Sequence, residues 1–72
     1  MKILIAGATG LIGEEIVRIC HNRNYTVHYL STSKEKIEDQ NNYKGFYWNP
    51  AKGRIDLACF KDVDAVINLS GV

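Results

Sequence analysis

Two cysteines, one proline and one tryptophan occur in 72 residues, and each scarcity removes a class of protein. Cys20 and Cys59 stand too far apart for a Cys-x-x-Cys pair, neither has a histidine at zinc-finger spacing, and two cysteines make a poor disulfide framework. They read as core or half-buried thiols in a reducing compartment. No apolar run approaches the roughly 20 residues of a membrane span, and the stretch from Met1 to Gly7 is shorter than the roughly 7–15 apolar residues of a secretory signal. A cytoplasmic chain with no membrane partner is expected. Charge of one sign is missing too. Nine Lys plus Arg stand against eight Asp plus Glu, a formal charge of +1, so no general nucleic-acid surface is expected. At this length the chain holds at most one domain, with a core limited to about 60% burial of the unfolded surface.

What is present is strongly patterned. Ile3, Leu4, Ile5 and Ala6 form a continuous apolar run, the signature of a strand covered on both faces. From Leu11 the apolar residues Leu11, Ile12, Ile16, Val17, Ile19 and Cys20 recur at helical spacing, which predicts a helix from about Thr9 or Gly10 to the turn at His21–Asn24. Tyr25 to Leu30 is β-branched and aromatic and predicts a second strand. "STSKEKIEDQNN" turns polar, with Ser31 or Ser33 placed to cap a short helix over Lys34 to Gln40. "YKGFYWNP" predicts an aromatic strand that stops at Pro50, followed by a turn at "AKG". One or two helical turns over 55–61 then lead to a last apolar strand in "VDAVINLSGV". The class is α/β. The order of elements is that of the N-terminal half of a doubly wound Rossmann fold, with a parallel sheet in strand order 3-2-1-4.

Three glycines, Gly7, Gly10 and Gly13, fall at the seam between the first strand and the helix. Each costs backbone entropy, so three together call for a reason. Gly7 permits a tight turn, Gly10 lets a diphosphate approach the backbone, and Gly13 allows close packing of the helix. The free amides at the helix start, over Thr9, Leu11 and Ile12, then face the phosphates with the positive end of the helix dipole. The spacing is Gly-x-x-Gly-x-x-Gly rather than the commoner Gly-x-Gly-x-x-Gly, and its context of buried strand, amphipathic helix and a unit of about 30 residues supports the assignment. The competing account is a glycine turn that merely permits tight packing.

With these residues in place, "GATGLIG" resembles the cofactor loop of the extended short-chain dehydrogenase/reductase superfamily. "YWNPAKGRIDLACFKDVDAVINLSG" resembles one branch of it, the cell-division-inhibitor-like nucleotide-sugar epimerases, through Trp48, Asn49 and Pro50 and through "DAVINLSG" at Asp64 to Gly71. The resemblance implies an NAD(P)-binding Rossmann domain across residues 1–72 and a cofactor passing over the end of the fourth strand at Leu69, Ser70 and Gly71. The glycine there permits close approach or simply turns the chain. Cofactor choice turns on the end of the second strand. NAD-preferring sites place an acid there for the ribose 2′-OH, but "LSTSK" has none. Ser31, Thr32 and Ser33 offer hydroxyls and Lys34 a charge, which favours NADP over NAD. The branch often carries Arg where Thr32 stands, and "STS" also fits a plain helix cap.

Other residues invite a role that their setting does not support. His21 suits the negative end of the helix dipole better than general base chemistry, and His28 is expected to face solvent. Tyr43, Phe46, Tyr47 and Trp48 lack the interleaved basic residues of a base-stacking platform and read as sheet-edge packing, with Trp48 or Pro50 as a lesser alternative beside adenine. Glu14 and Glu15 are adjacent on a helix surface and point apart. The superfamily's catalytic Tyr-x-x-x-Lys does not occur, so no catalytic residue is assigned. The chain reads as the cofactor-holding, N-terminal portion of a longer epimerase- or reductase-like enzyme, with a small-molecule substrate met only by the full-length protein. A non-catalytic module that senses NADP(H) or mediates an interaction is the alternative. A third account is a fold remnant whose sheet edge self-associates through the first or fourth strand.

Overall fold

The structure, a computed structural model, describes residues 1–8 and 10–69. The described residues form six strands and one α-helix, in the order β1 (Lys2–Ala6), α1 (Leu11–Asn22), β2 (Thr26–Ser31), β3 (Asp39–Gln40), β4 (Tyr43–Asn49), β5 (Arg54–Ile55) and β6 (Ala65–Asn68). Short 3₁₀ turns occupy Lys34–Lys36, Pro50–Lys52 and Leu57–Phe60. The sheet runs β3-β4-β2-β1-β6, with β5 paired to β4. Its parallel part, β4-β2-β1-β6, has the expected 3-2-1-4 connectivity once the two short antiparallel strands β3 and β5 are set aside.

Two apolar layers sandwich the sheet because alternate residues of β1 and β2 face opposite sides. Ile3, Ile5, Val27 and Tyr29 pack with Ala8 and Cys20 on the helix face, joined by Ile16 and Val17. Leu4, Ala6, Leu30 and Phe46 pack with Cys59 on the other face, joined by Trp48 and Val63. Both cysteines are free and buried. The helix ends as the turn signals predict. Asn24 adopts a positive φ of 60°, the Tyr25 amide donates to the Cys20 carbonyl and the Asn24 amide to the His21 carbonyl. This is a Schellman closure with asparagine in the position glycine usually takes.

The structure corrects four expectations. Residues 34–40 do not form a short α-helix: only Lys34–Lys36 coils, and Asp39–Gln40 pairs antiparallel with β4. That segment is polar apart from Ile37, so a helix there would have no apolar stripe to bury. Ser33 precedes the 3₁₀ turn without a side-chain cap. His28 is buried, 6% exposed, because β2 is interior and covered on both faces. Finally β1 lies between β2 and β6, so the first strand is no edge; β6 has the outer position beside it, and Val66 is 58% exposed there. Among the described residues no helix is long and apolar enough to cross a membrane.

Candidate functional site

The C-terminal ends of parallel strands gather functional loops in open α/β sheets, and here β1 and β2 end side by side, Ala6 opposite Leu30. The chain leaves β1 through Gly7, whose φ of 92° is a conformation that side chains resist. The Gly10 amide closes the turn on the Gly7 carbonyl at 3.3 Å. Gly10 is the helix N-cap, with extended backbone and no side-chain cap. The helix ladder starts with the Glu14 amide donating to the Gly10 carbonyl at 2.8 Å. The preceding amides of Leu11, Ile12 and Gly13 therefore point out of the helix end without a carbonyl from within the helix. Leu11 and Ile12 are 89% and 69% exposed, so their side chains contribute little to the core.

The two helix-start glycines differ in their reason for being glycine. A Cβ on Gly13 would lie 2.2 Å from the Gly7 carbonyl oxygen and 2.7 Å from the Ala8 Cα, so the helix seats directly on the turn. A Cβ on Gly10 would meet only the Gly7 oxygen, at 3.7 Å. Nothing in the described protein requires glycine at position 10, whereas a diphosphate approaching the helix end would.

Beside this turn lies a cavity of about 200 Å³ lined by Gly7, Leu30, Ser31, Thr32, Ser33, Lys36 and Trp48. It brings the turn after β1 and the loop after β2 to one place. Ser31 is buried and its hydroxyl is committed within the loop, accepting from the Ser33 amide at 3.1 Å and donating to the Ser33 carbonyl at 3.0 Å. The exposed Thr32 and half-buried Ser33 supply the remaining hydroxyls. Lys34 is not in this cavity. Its ammonium stands 5.0 Å from the centre of the Tyr47 ring, beside a separate hollow of about 740 Å³. Lys36 lines the cavity instead, held by a core residue: the Tyr29 hydroxyl donates to the Lys36 carbonyl at 2.9 Å and accepts from the Glu38 amide at 2.7 Å. Of the seven lining residues, sequence reasoning missed Lys36 and left Leu30 as a strand residue. "KEK" carried the signal, since it offers two cations two residues apart, but the strand-end spacing pointed to the nearer one.

Leu69 continues the sheet beyond β6, its amide donating to the Ala6 carbonyl at 2.7 Å, and it is partly exposed at the same end as the glycine turn. Thr9, Ser70 and Gly71, expected at the cofactor, lie outside the described residues. Pro50 does not line the cavity, while Trp48 does. Glu14 is exposed, and Glu15 pairs with Arg18 on the helix surface, which lowers the Glu15 carboxyl below its ordinary range. Among the described residues no His, Cys, Asp and Glu cluster could hold a metal. A nucleoside diphosphate fits this donor set: amides without a partner inside the helix at Leu11 to Gly13 and open space at Gly10 for the phosphates, with hydroxyls, a cation and Trp48 in the adjoining cavity.

Comparison with known proteins agrees with this geometry. Residues 3–72 match the NAD dependent epimerase/dehydratase family. The epimerase family protein Mb2239 of Mycobacterium bovis is 34% identical over 70 residues, spanning 97% of this chain and 22% of that protein. The epimerase family protein ML0860 of Mycobacterium leprae is 31% identical over 71 residues, spanning 97% and 21%. The chain thus spans about a fifth of the length of these relatives. The crystal structure of the oxidoreductase ylbE from Lactococcus lactis superposes with a TM-score of 0.69 at 28% identity, over 100% of this chain and 33% of that one.

Proposed function

The chain belongs to the NAD dependent epimerase/dehydratase family, and from that premise we propose that it holds the adenosine and diphosphate portion of NADP, in preference to NAD, for an epimerase- or reductase-like short-chain dehydrogenase. The observation that carries this reading is the cavity shared by Gly7 and Ser31, Thr32 and Ser33, next to a glycine-capped helix end. Gly7, Thr9, Gly10, Leu11, Ile12 and Gly13 are assigned to the diphosphate, with the amides of Leu11, Ile12 and Gly13 as the donors. Ser31, Thr32 and Ser33, in the loop that continues into Lys34, are assigned to the ribose, and Leu69, Ser70 and Gly71 to the nicotinamide side. The preference for NADP rests on a strand end without an acid and on Lys36 in the cavity wall. A bound dinucleotide supplies hydride exchange with a substrate carbon. No Tyr-x-x-x-Lys occurs in this chain, so its own residues are assigned to binding and to no chemical step. Two buried free thiols suit a reducing, cytoplasmic setting.

Amide-shift titration with NADP(H), and separately with NAD(H), tests the proposal. Saturable shifts over Gly7–Gly13 and Ser31–Lys36, stronger for NADP(H), are expected. Equal response to both dinucleotides would remove the preference, and silence in the glycine turn would remove the binding role.

A further inference from the structure

At the other end of the sheet, toward the N-terminal ends of β1 and β2, a third hollow, of about 490 Å³, shares no residue with the glycine-turn cavity. Its walls carry Lys2, Lys44 and Lys61, the amides of Gln40 and Asn41, and His28. Register explains the grouping. Leu4, His28, Lys44 and Asp39 stand in one row across β1, β2, β4 and β3, and Lys2 stands opposite Thr26 in the row beyond. Cross-strand neighbours share a face, so the cations converge on the side away from α1.

The charge balance is lopsided. Asp39 is the one carboxylate in the wall, and no lysine here has a carboxylate at ion-pair distance among the described residues, where the sole ion pair joins Arg18 to Glu15. Lys2 Nζ rests on the Lys61 carbonyl at 3.2 Å, and Lys44 Nζ lies 5.6 Å from the centre of the Phe46 ring. His28 makes the hollow a built site rather than a patch of surface lysines. It is 6% exposed, its ring packs against Phe46 at 4.8 Å, and its Nδ1 lies 2.9 Å from the Cys59 carbonyl oxygen. A carbonyl only accepts, so Nδ1 carries a proton and Nε2 is left as an acceptor. Nε2 has no partner among the described residues, yet it is not sealed from solvent. A buried imidazole held in one tautomer by the backbone, in a hollow whose wall also carries three lysines without an ion pair among the described residues, is arranged for an oxyanion that keeps one hydroxyl.

We propose that this hollow binds a small phosphate-bearing ligand, with Lys44 and Lys61 as its principal donors, His28 Nε2 accepting from a P–OH hydrogen and Asn41 at the rim. This inference does not depend on the dinucleotide reading.

Inorganic pyrophosphate is the probe, titrated into the chain with sodium chloride at matched ionic strength as control, while the His28 ring nitrogens and the backbone amides are followed by NMR. The expected result is a saturable shift of the His28 Nε2 resonance with amide shifts over 39–44 and at Lys61, absent with chloride. Lys44→Ala and Lys61→Ala sit on the surface and spare the core; each is expected to weaken pyrophosphate about tenfold, as loss of a charged hydrogen bond does. Shifts confined to Gly7–Gly13 would overturn the proposal, as would a His28 response that survives the Lys44→Ala/Lys61→Ala double substitution. Pyrophosphate binding at His28 alongside failure of NADP to bind would sustain this site and reject only the dinucleotide reading.

Discussion

Replacing Gly13 and Gly10 by alanine, one at a time, separates what the fold needs from what a ligand needs. In Gly13→Ala the new methyl carbon would start 2.2 Å from the Gly7 oxygen and 2.8 Å from the Ala8 carbonyl carbon. Both are backbone atoms, so relief requires moving the helix or the turn. Overpacking of this kind costs up to about 3 kcal/mol, and better helix propensity returns about 1 kcal/mol, leaving a net loss of about 2 kcal/mol. A domain of 72 residues has roughly 4–11 kcal/mol in all, so its melting temperature should fall by about 8–16 °C. In Gly10→Ala the methyl meets one oxygen at 3.7 Å with φ at −79°. A weaker N-cap and a less flexible unfolded chain then roughly cancel, and stability should stay within about 0.5 kcal/mol. NADP(H) affinity should nonetheless drop about tenfold or more, because a methyl now stands between the diphosphate and the helix amides. Thermal melts by circular dichroism and a cofactor titration read both quantities. Equal melting temperatures for Gly13→Ala and the parent would refute the packing argument. Unchanged NADP(H) binding by Gly10→Ala, or a stability loss there as large as at Gly13, would reduce the turn to a packing device.

Lys36→Ala should lower the NADP-to-NAD affinity ratio by about tenfold while Lys34→Ala leaves it unchanged, as paired titrations would show; the reverse order would place the discriminating cation outside the cavity. Burial pushes both the Cys20 and Cys59 thiols up, with Asp56 adding to the effect at Cys59. Alkylation of either in the native chain should therefore run at least about a hundredfold slower than in denaturant, and fast native labelling of Cys59 would contradict its burial. Burial also raises Tyr29 and Tyr43 above the ordinary tyrosine value of 10.0. The folded state thus favours the neutral phenols. Their contribution is intact below pH about 10 and is lost as pH rises through the folded values, so a melting temperature that stays flat across that alkaline range would refute it. Gly45→Ala should destabilise by about 1–3 kcal/mol in denaturant melts, since its Cβ would lie 2.5 Å from the Tyr29 ring; no change in midpoint would contradict the stacking of Tyr29 on β4.

What the sequence disclosed and what it hid follow from the range of the interactions involved. The apolar run of β1, the stripe of α1 and the glycine turn are local patterns, and each appears within a residue or two of its expected place. The fate of His28 depends instead on what covers the far face of β2. Alternation along a strand assigns two faces but does not say that both are buried, and here the segment Leu57–Phe60 folds over the second one. The position of Lys36 is likewise long-range. It depends on a core tyrosine reaching the crossover chain, and that reach exists because Gly45 leaves room for the Tyr29 ring to stack on Tyr43 at 4.5 Å. No spacing rule along "STSKEKIE" contains this information.

Strand polarity accounts for two proposed anion sites at opposite ends of so small a sheet. All four principal strands run the same way, so the turn after β1 and the loop after β2 must meet at one end, with unpaired helix amides aimed there. Side chains near the strand starts, Lys2 and His28 among them, are left to the other. Both ends share β2, and His28 stands three residues from Ser31, about 10 Å along the strand. That separation equals about one Debye length in 0.1 M salt. Solvent-exposed charge at one end is therefore felt only weakly at the other. The two sites should titrate independently, which is why the lysine substitutions at one end and the glycine substitutions at the other can each be read on its own.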